Sequence, residues 1–71
     1  MQYTVLIHKA EEGGYWVEVP ALDACYSQGK TVEEALKNVK DAIKTHIEGL
    51  RSEGRDIPTE EDVIGTVKVA V

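Results

Sequence analysis

Few residues in this 71-residue chain are suited to chemistry: one cysteine, Cys25, two histidines, His8 and His46, and thirteen carboxylates. Nucleophilic catalysis needs a Ser, Thr or Cys beside a base. Cys25 has no histidine near it in sequence and falls on a short strand-like segment, where a small core thiol is the plainer reading. His8 alternates onto the outer face of a predicted strand, and His46 sits at the edge of a helical stripe. Both positions suit a packed or solvated imidazole before a general base. Glu11, Glu12, Glu60, Glu61 and Asp62 gather in turns and connections, where charge is ordinarily solvated. A two-metal nuclease wants carboxylates on central strands, and there the chain offers only Glu18. There is no glycine-rich phosphate loop. The residues therefore predict a domain that is not an enzyme and holds no metal or cofactor.

The elements that position these residues are organised around the stretch from Gly29 to Gly54. Val32, Leu36, Val39, Ile43, Ile47 and Leu50 recur at spacings of three and four, with Ala35 and Ala42 beside them. That is one apolar stripe on an amphipathic helix. Thr31, three residues before Glu34, makes a capping box, in which the hydroxyl accepts from the Glu34 amide. Glu33 and Glu34 suit the positive end of the helix dipole. Gly54 supplies a left-handed stop, and Pro58 follows. A helix from Val32 to Glu53 spans about 33 Å. Its outer face, with Glu33, Lys37, Asp41, Lys44, Glu48 and Arg51, reads as a solvated surface with weak pairs four apart.

Strands are predicted around the helix. Gln2 to Lys9 alternates, with Tyr3, Val5 and Ile7 on one side. Ala10 to Gly14 turns the chain, its two glycines free to take positive φ. Tyr15 to Val19 alternates again and closes an antiparallel hairpin. Pro20 ends that strand, because it cannot donate to a ladder. After a turn, Cys25 to Gln28 makes a third short strand with Cys25 and Ser27 inward. Gly65 to Val71 makes a fourth, with Val67, Val69 and Val71 set against Thr66, Lys68 and Ala70.

The fold class expected is α+β, in the order β-β-β-α-β: a four-stranded mixed sheet, order 3-2-1-4, with one helix on one face. The fourth strand runs parallel to the first through a right-handed crossover. Tyr3, Val5, Ile7, Tyr15, Val17, Val19, Val67 and Val69 meet the helix stripe. The other face exposes Thr4, Leu6, His8, Trp16, Glu18, Tyr26 and Lys68, and nothing in the sequence is left to cover it. An uncovered Trp beside a Leu has the composition of an interface centre, so Leu6, Trp16 and Tyr26 are the candidate oligomer interface.

Size and charge bear on the same point. A chain this short buries only about 60–65 % of its unfolded surface, and a single cysteine rules out an internal disulfide framework. Association into a homo-oligomer, a dimer or tetramer, would add stability. The net charge of −5 disfavours nucleic-acid binding, which draws on Lys and Arg, and suits a basic protein partner. No run reaches the roughly 20 apolar residues of a membrane span. Met1 leads into an alternating segment, unlike a signal peptide. A cytoplasmic location is expected.

The punctuating residues also come in a particular order. After the first strand come Glu11-Glu12-Gly13-Gly14-Tyr15-Trp16-Val17, Pro20-Ala21-Leu22-Asp23-Ala24-Cys25 and Gly29-Lys30-Thr31-Val32-Glu33-Glu34-Ala35. The helix then ends at Gly54, followed by Ile57-Pro58. Over nearly the whole chain this order resembles HicB-type antitoxins. The resemblance implies a partial ribonuclease-H-like domain that lacks the nuclease's catalytic carboxylates. It also implies a partner, HicA, a small basic toxin that cleaves messenger RNA and whose active site the antitoxin blocks. The family usually has Gly where Ala24 stands and Asp where Lys30 stands. Many HicB proteins add a C-terminal DNA-binding domain. Here a single HicB-like domain over 1–71 without one is expected, and no operator binding is carried over. The acidic turn Glu11-Glu12 and the Asp23 loop are the candidate partner contacts. The alternative is a stand-alone regulatory or ligand-binding module without a toxin, and a residual nuclease is a third reading.

Overall fold

The computed structural model describes residues 2–60 and residue 70. Alternation builds three strands: β1 (Leu6–Lys9), β2 (Tyr15–Glu18) and β3 (Tyr26–Gly29), followed by the helix α1 (Val32–Ser52). The strands form an antiparallel sheet in the order β1-β2-β3. Ile7 lies opposite Val17, and Val17 opposite Ser27. The strand boundaries shift from expectation by one to four residues. Most of the shift is in β1, where 2–5 lie outside the ladder. The fourth strand expected over 65–71, with Val67, Lys68 and Val69, lies outside the described residues except for Ala70. So does the sheet order that depends on it.

Both ends of α1 form as their residues dictate. The Glu34 amide donates to Thr31 Oγ1 at 3.1 Å. At the far end the Arg55 amide donates to the Leu50 carbonyl at 2.9 Å and the Gly54 amide to the Arg51 carbonyl at 3.1 Å, with Gly54 at φ +67°. That is a Schellman closure, which satisfies carbonyls the helix leaves open.

The core consists of Val17, Val19, Leu22, Cys25, Ala35 and Val39, with Tyr3, Val5, Tyr15, Ala42 and Ile43 packed against it. Four side chains differ from expectation. Val32 and Leu36 remain 36 % and 37 % exposed. The helix instead turns its smaller residues, Ala35 and Ala42, toward the sheet. Ile7 points to the same side as Val17 yet is 44 % exposed, because α1 packs over β3 and β2 rather than over β1. Leu22, which reads as a turn residue, is 2 % exposed. Its amide donates to the Val19 carbonyl and its own carbonyl accepts from the Cys25 amide, which folds the loop inward and plugs the end of the core. The loop closes through Ala24 at φ +57°. A Cβ in that region costs about 1–2 kcal/mol, and glycine would remove the cost.

The small stripe on α1 permits a close approach to β3. A Cβ built on Gly29 would lie 2.4 Å from the Ala35 amide nitrogen and 2.9 Å from its Cα. Both neighbours are helix backbone, so nothing flexible can move aside. Gly29→Ala should therefore push α1 off the sheet. The expected loss is about 3 kcal/mol, at the upper end of overpacking costs. Thermal unfolding should show this as a fall in midpoint of roughly 15 °C.

Candidate functional site

The uncovered face of the sheet is built by period-two alternation. Two rows of residues lie across it. Leu6 faces Glu18, and Glu18 faces Tyr26; His8 faces Trp16, and Trp16 faces Gln28. The expected interface residues Leu6, Trp16 and Tyr26 thus share one face. Trp16 is 37 % exposed and Tyr26 67 %, and a shallow depression runs between them, floored by Ser27 and Gln28. The His8 imidazole stacks on Trp16 with ring centroids 4.1 Å apart and planes at 17°. His8 Nε2 donates to Glu18 Oε1 at 3.1 Å. An acceptor-only carboxylate there places the proton on Nε2. Both side chains are about two-fifths exposed, so the pair adds little stability. It does hold the imidazole flat against the indole.

The expected partner contacts do not come together. Glu11 and Glu12 sit in the β1–β2 connection, while Asp23 sits in the β2–β3 connection. Consecutive turns of an antiparallel meander lie at opposite ends of the sheet. Glu12 lines a cleft with Gly14, Lys30, Glu34 and Asn38, whereas Asp23 lies near His46, Arg55, Asp56 and Pro58. Glu60, expected to be solvated, is instead tied to the chain's start. Its carboxylate accepts from the Thr4 amide and, at 3.0 Å, from the Thr4 hydroxyl. The Tyr3 hydroxyl donates to the Pro58 carbonyl at 2.6 Å. The sequence reading also missed the bond from Asn38 Nδ2 to the Gln28 carbonyl, 2.8 Å, which joins helix to strand. The available signal was a polar residue at the border of the apolar stripe.

A family model described as HicB-like antitoxin of bacterial toxin–antitoxin systems matches residues 3–69. This chain belongs to that family. A UPF0150 protein of Thermoplasma acidophilum is 52 % identical to this HicB-like chain over 60 residues, which are 84 % of this chain and 87 % of that one. The crystal structure of the Burkholderia pseudomallei antitoxin HicB superposes with a TM-score of 0.73 at 31 % identity, covering 93 % of this chain and 53 % of that one. The chain thus spans about half of that antitoxin. The solved HicA3–HicB3 toxin–antitoxin complex contains a match at TM-score 0.69 and 35 % identity, over 80 % of this chain and 65 % of that one. An α+β domain of three antiparallel strands and one helix agrees with this family.

Among the described residues of this HicB-like domain no three His, Cys, Asp or Glu side chains cluster in a way that could hold a metal. No described helix is long and apolar enough to cross a membrane. Cys25 is 5 % exposed, as a core thiol should be, and burial raises its pKa above the ordinary 9.0. The folded chain therefore keeps a proton that the unfolded chain gives up once the pH passes that value. This group's contribution to stability is complete below about pH 9 and declines as the pH rises beyond it. The midpoint difference between wild type and Cys25→Ala should accordingly narrow between pH 8 and pH 10 in thermal melts. A constant difference would show a thiol that ionises freely in the fold.

Proposed function

We propose that this chain is the antitoxin of a HicA/HicB-type pair and neutralises an RNA-cleaving toxin by binding and covering its active site. The observation that carries the reading is the match to a chain of a solved HicA3–HicB3 toxin–antitoxin complex, joined to family membership over residues 3–69. The net charge of −5 supports a basic partner. The role is one of binding, with no catalytic step, no cofactor and no direct contact with nucleic acid, and it is exercised in the cytoplasm. It is the work of a single HicB-like domain.

In this reading the domain has a fourth strand beside β1, giving the order 3-2-1-4 of a partial ribonuclease-H-like fold. The bonds from Tyr3 to Pro58 and from Thr4 to Glu60 support it, because they draw the chain leaving α1 alongside the chain entering β1. Homo-oligomers form through Leu6, Trp16 and Tyr26, which share one face of the sheet; the exposure of Trp16 and Tyr26 there supports an apolar contact. Glu11, Glu12 and Asp23 meet the toxin from the two ends of the sheet.

Co-expression with the HicA-like toxin of the proposed pair should restore the growth of cells poisoned by that toxin, and the two should co-purify. Failure of both would leave a regulatory module without a toxin as the better reading. Trp16→Ala should lower the oligomer mass in light scattering while the helical circular dichroism stays unchanged. An unaltered mass would move the self-contact off this face.

A further inference from the structure

The strand β3 presents an open edge with a groove on each side. Its hydrogen-bond parity follows from one contact beyond the ladder: the Val19 amide donates to the Cys25 carbonyl at 3.0 Å. That makes 19/25 a hydrogen-bonded pair. In the register of β2 with β3, 17/27 and 15/29 are then hydrogen-bonded as well. The intervening residues, Tyr26 and Gln28, direct their amides and carbonyls away from β2. Of these four groups one is taken, since the Gln28 carbonyl accepts from Asn38 Nδ2. The Tyr26 amide, the Tyr26 carbonyl and the Gln28 amide have no partner among the described residues.

Both flanks of this edge are shaped. On the uncovered face lies the depression between Trp16 and Tyr26. On the helix face a second depression has Ala24, Cys25 and Tyr26 on the strand side and Asp41, Ala42, Thr45 and His46 on the helix side. A separate cleft at the other end of the strand is lined by Gln28, Gly29 and Lys30 and, on the helix, by Glu34 and Asn38. The helix stripe bordering the edge is thus Glu34, Asn38, Asp41 and Thr45, with two carboxylates and neither lysine nor arginine.

We infer that the β3 edge accepts an extended, lysine- or arginine-bearing segment of the partner toxin as an added strand. The inference rests on the antitoxin reading above and assigns that reading a docking site. Strand addition uses main-chain bonds for affinity and alternate side chains for selection. The added strand donates to the Tyr26 carbonyl and accepts from the Tyr26 and Gln28 amides. Its side chains alternate between the Trp16–Tyr26 depression, which takes an apolar group, and the helix-side depression, where Asp41 takes a cation. The open amides call for a strand, and the carboxylates choose its charge.

The test measures amide hydrogen exchange in the full chain, alone and with the HicA-like toxin of the proposed pair. Exchange at Tyr26 and Gln28 should slow more than about tenfold in the complex. Asp41→Lys combined with Thr45→Lys, both on the exposed helix surface, should weaken binding by about tenfold or more while leaving the melting curve in place. Gln28→Pro, which removes an edge donor, should weaken binding as well. A complex that forms with both amides unprotected overturns the docking site and leaves the antitoxin reading standing. If no complex forms, that reading fails and takes this inference with it. Protection that appears without the toxin, alongside a doubled mass, overturns the inference in favour of a second copy at this edge.

Discussion

The contact on which this domain depends is the near-touching of two backbones, the end of β3 at Gly29 and the first turn of α1 at Ala35. Only hydrogen atoms stand between them, and Ala35 is fully buried. The approach is close because both residues are small, and it fixes the height of the helix above the sheet. It also fixes which face of the helix turns inward. With Ala35 at the contact, Val39 follows one turn on at 3 % exposure, while Leu36 swings to the flank. The Thr31 cap and the bond from Asn38 to the Gln28 carbonyl hold the same turn from either side. A rod pinned this firmly at one end has little freedom to slide, so the core beneath it can be small and still well ordered.

The placement of the helix leaves surfaces free on the rest of the sheet. Because α1 lies over β3 and β2, its polar flank runs beside the outer edge of β3. The helix comes near enough for Asn38 to satisfy one edge carbonyl, yet it does not seal the strand. Proteins usually blunt such edges, since open main-chain groups invite pairing. Here the blunting is partial and carboxylates line the approach, an arrangement that would repel an acidic copy of the same chain more than a basic stranger. The apolar outer face has a different character. There Trp16 is steadied by the His8 ring, and the polar groups of His8 and Glu18 satisfy each other. Two surfaces of unlike chemistry suit two different contacts.

Much of this was legible in the sequence, and the parts that were not share a cause. The helix, its cap at Thr31, its stop at Gly54, the antiparallel order and the inward Cys25 all follow from local rules: periodicity, capping chemistry and turn glycines. The facing of Trp16, Tyr26 and Leu6 follows from alternation alone. What failed depends on depth of approach, which no one-dimensional pattern encodes. Leu36 looked central because it is larger than Ala35, yet small residues win where backbones must meet. Ile7 has the right parity, but parity does not say how far the helix reaches. Leu22 looked like a turn residue because it sits between Pro20 and Asp23; only the inward fold of the loop makes it core. The edge of β3 was illegible for a related reason. Which amides stay unpaired depends on hydrogen-bond parity, and that is set by the single pair Val19–Cys25.

The residues that could have done chemistry have mostly taken structural duties. The Cys25 thiol is packed in the core, the His8 ring lies on Trp16 with its Nε2 bonded to the Glu18 carboxylate, Thr31 caps the helix, and Glu60 holds Thr4. Side chains committed in this way leave the shape and charge of the surface as what a partner would meet. For a domain proposed to act by binding another protein, this arrangement is an advantage. Binding strength in the proposed contact then rests on main-chain groups and on the exposed aromatics Trp16 and Tyr26. These tolerate drift in the surrounding side chains as long as the helix keeps its height above β3. The contact at Gly29 and Ala35 bears on the proposed docking as well: it sets the distance between the carboxylate-bearing flank of α1 and the amides of Tyr26 and Gln28 that have no partner among the described residues, and so the space the proposed strand would enter.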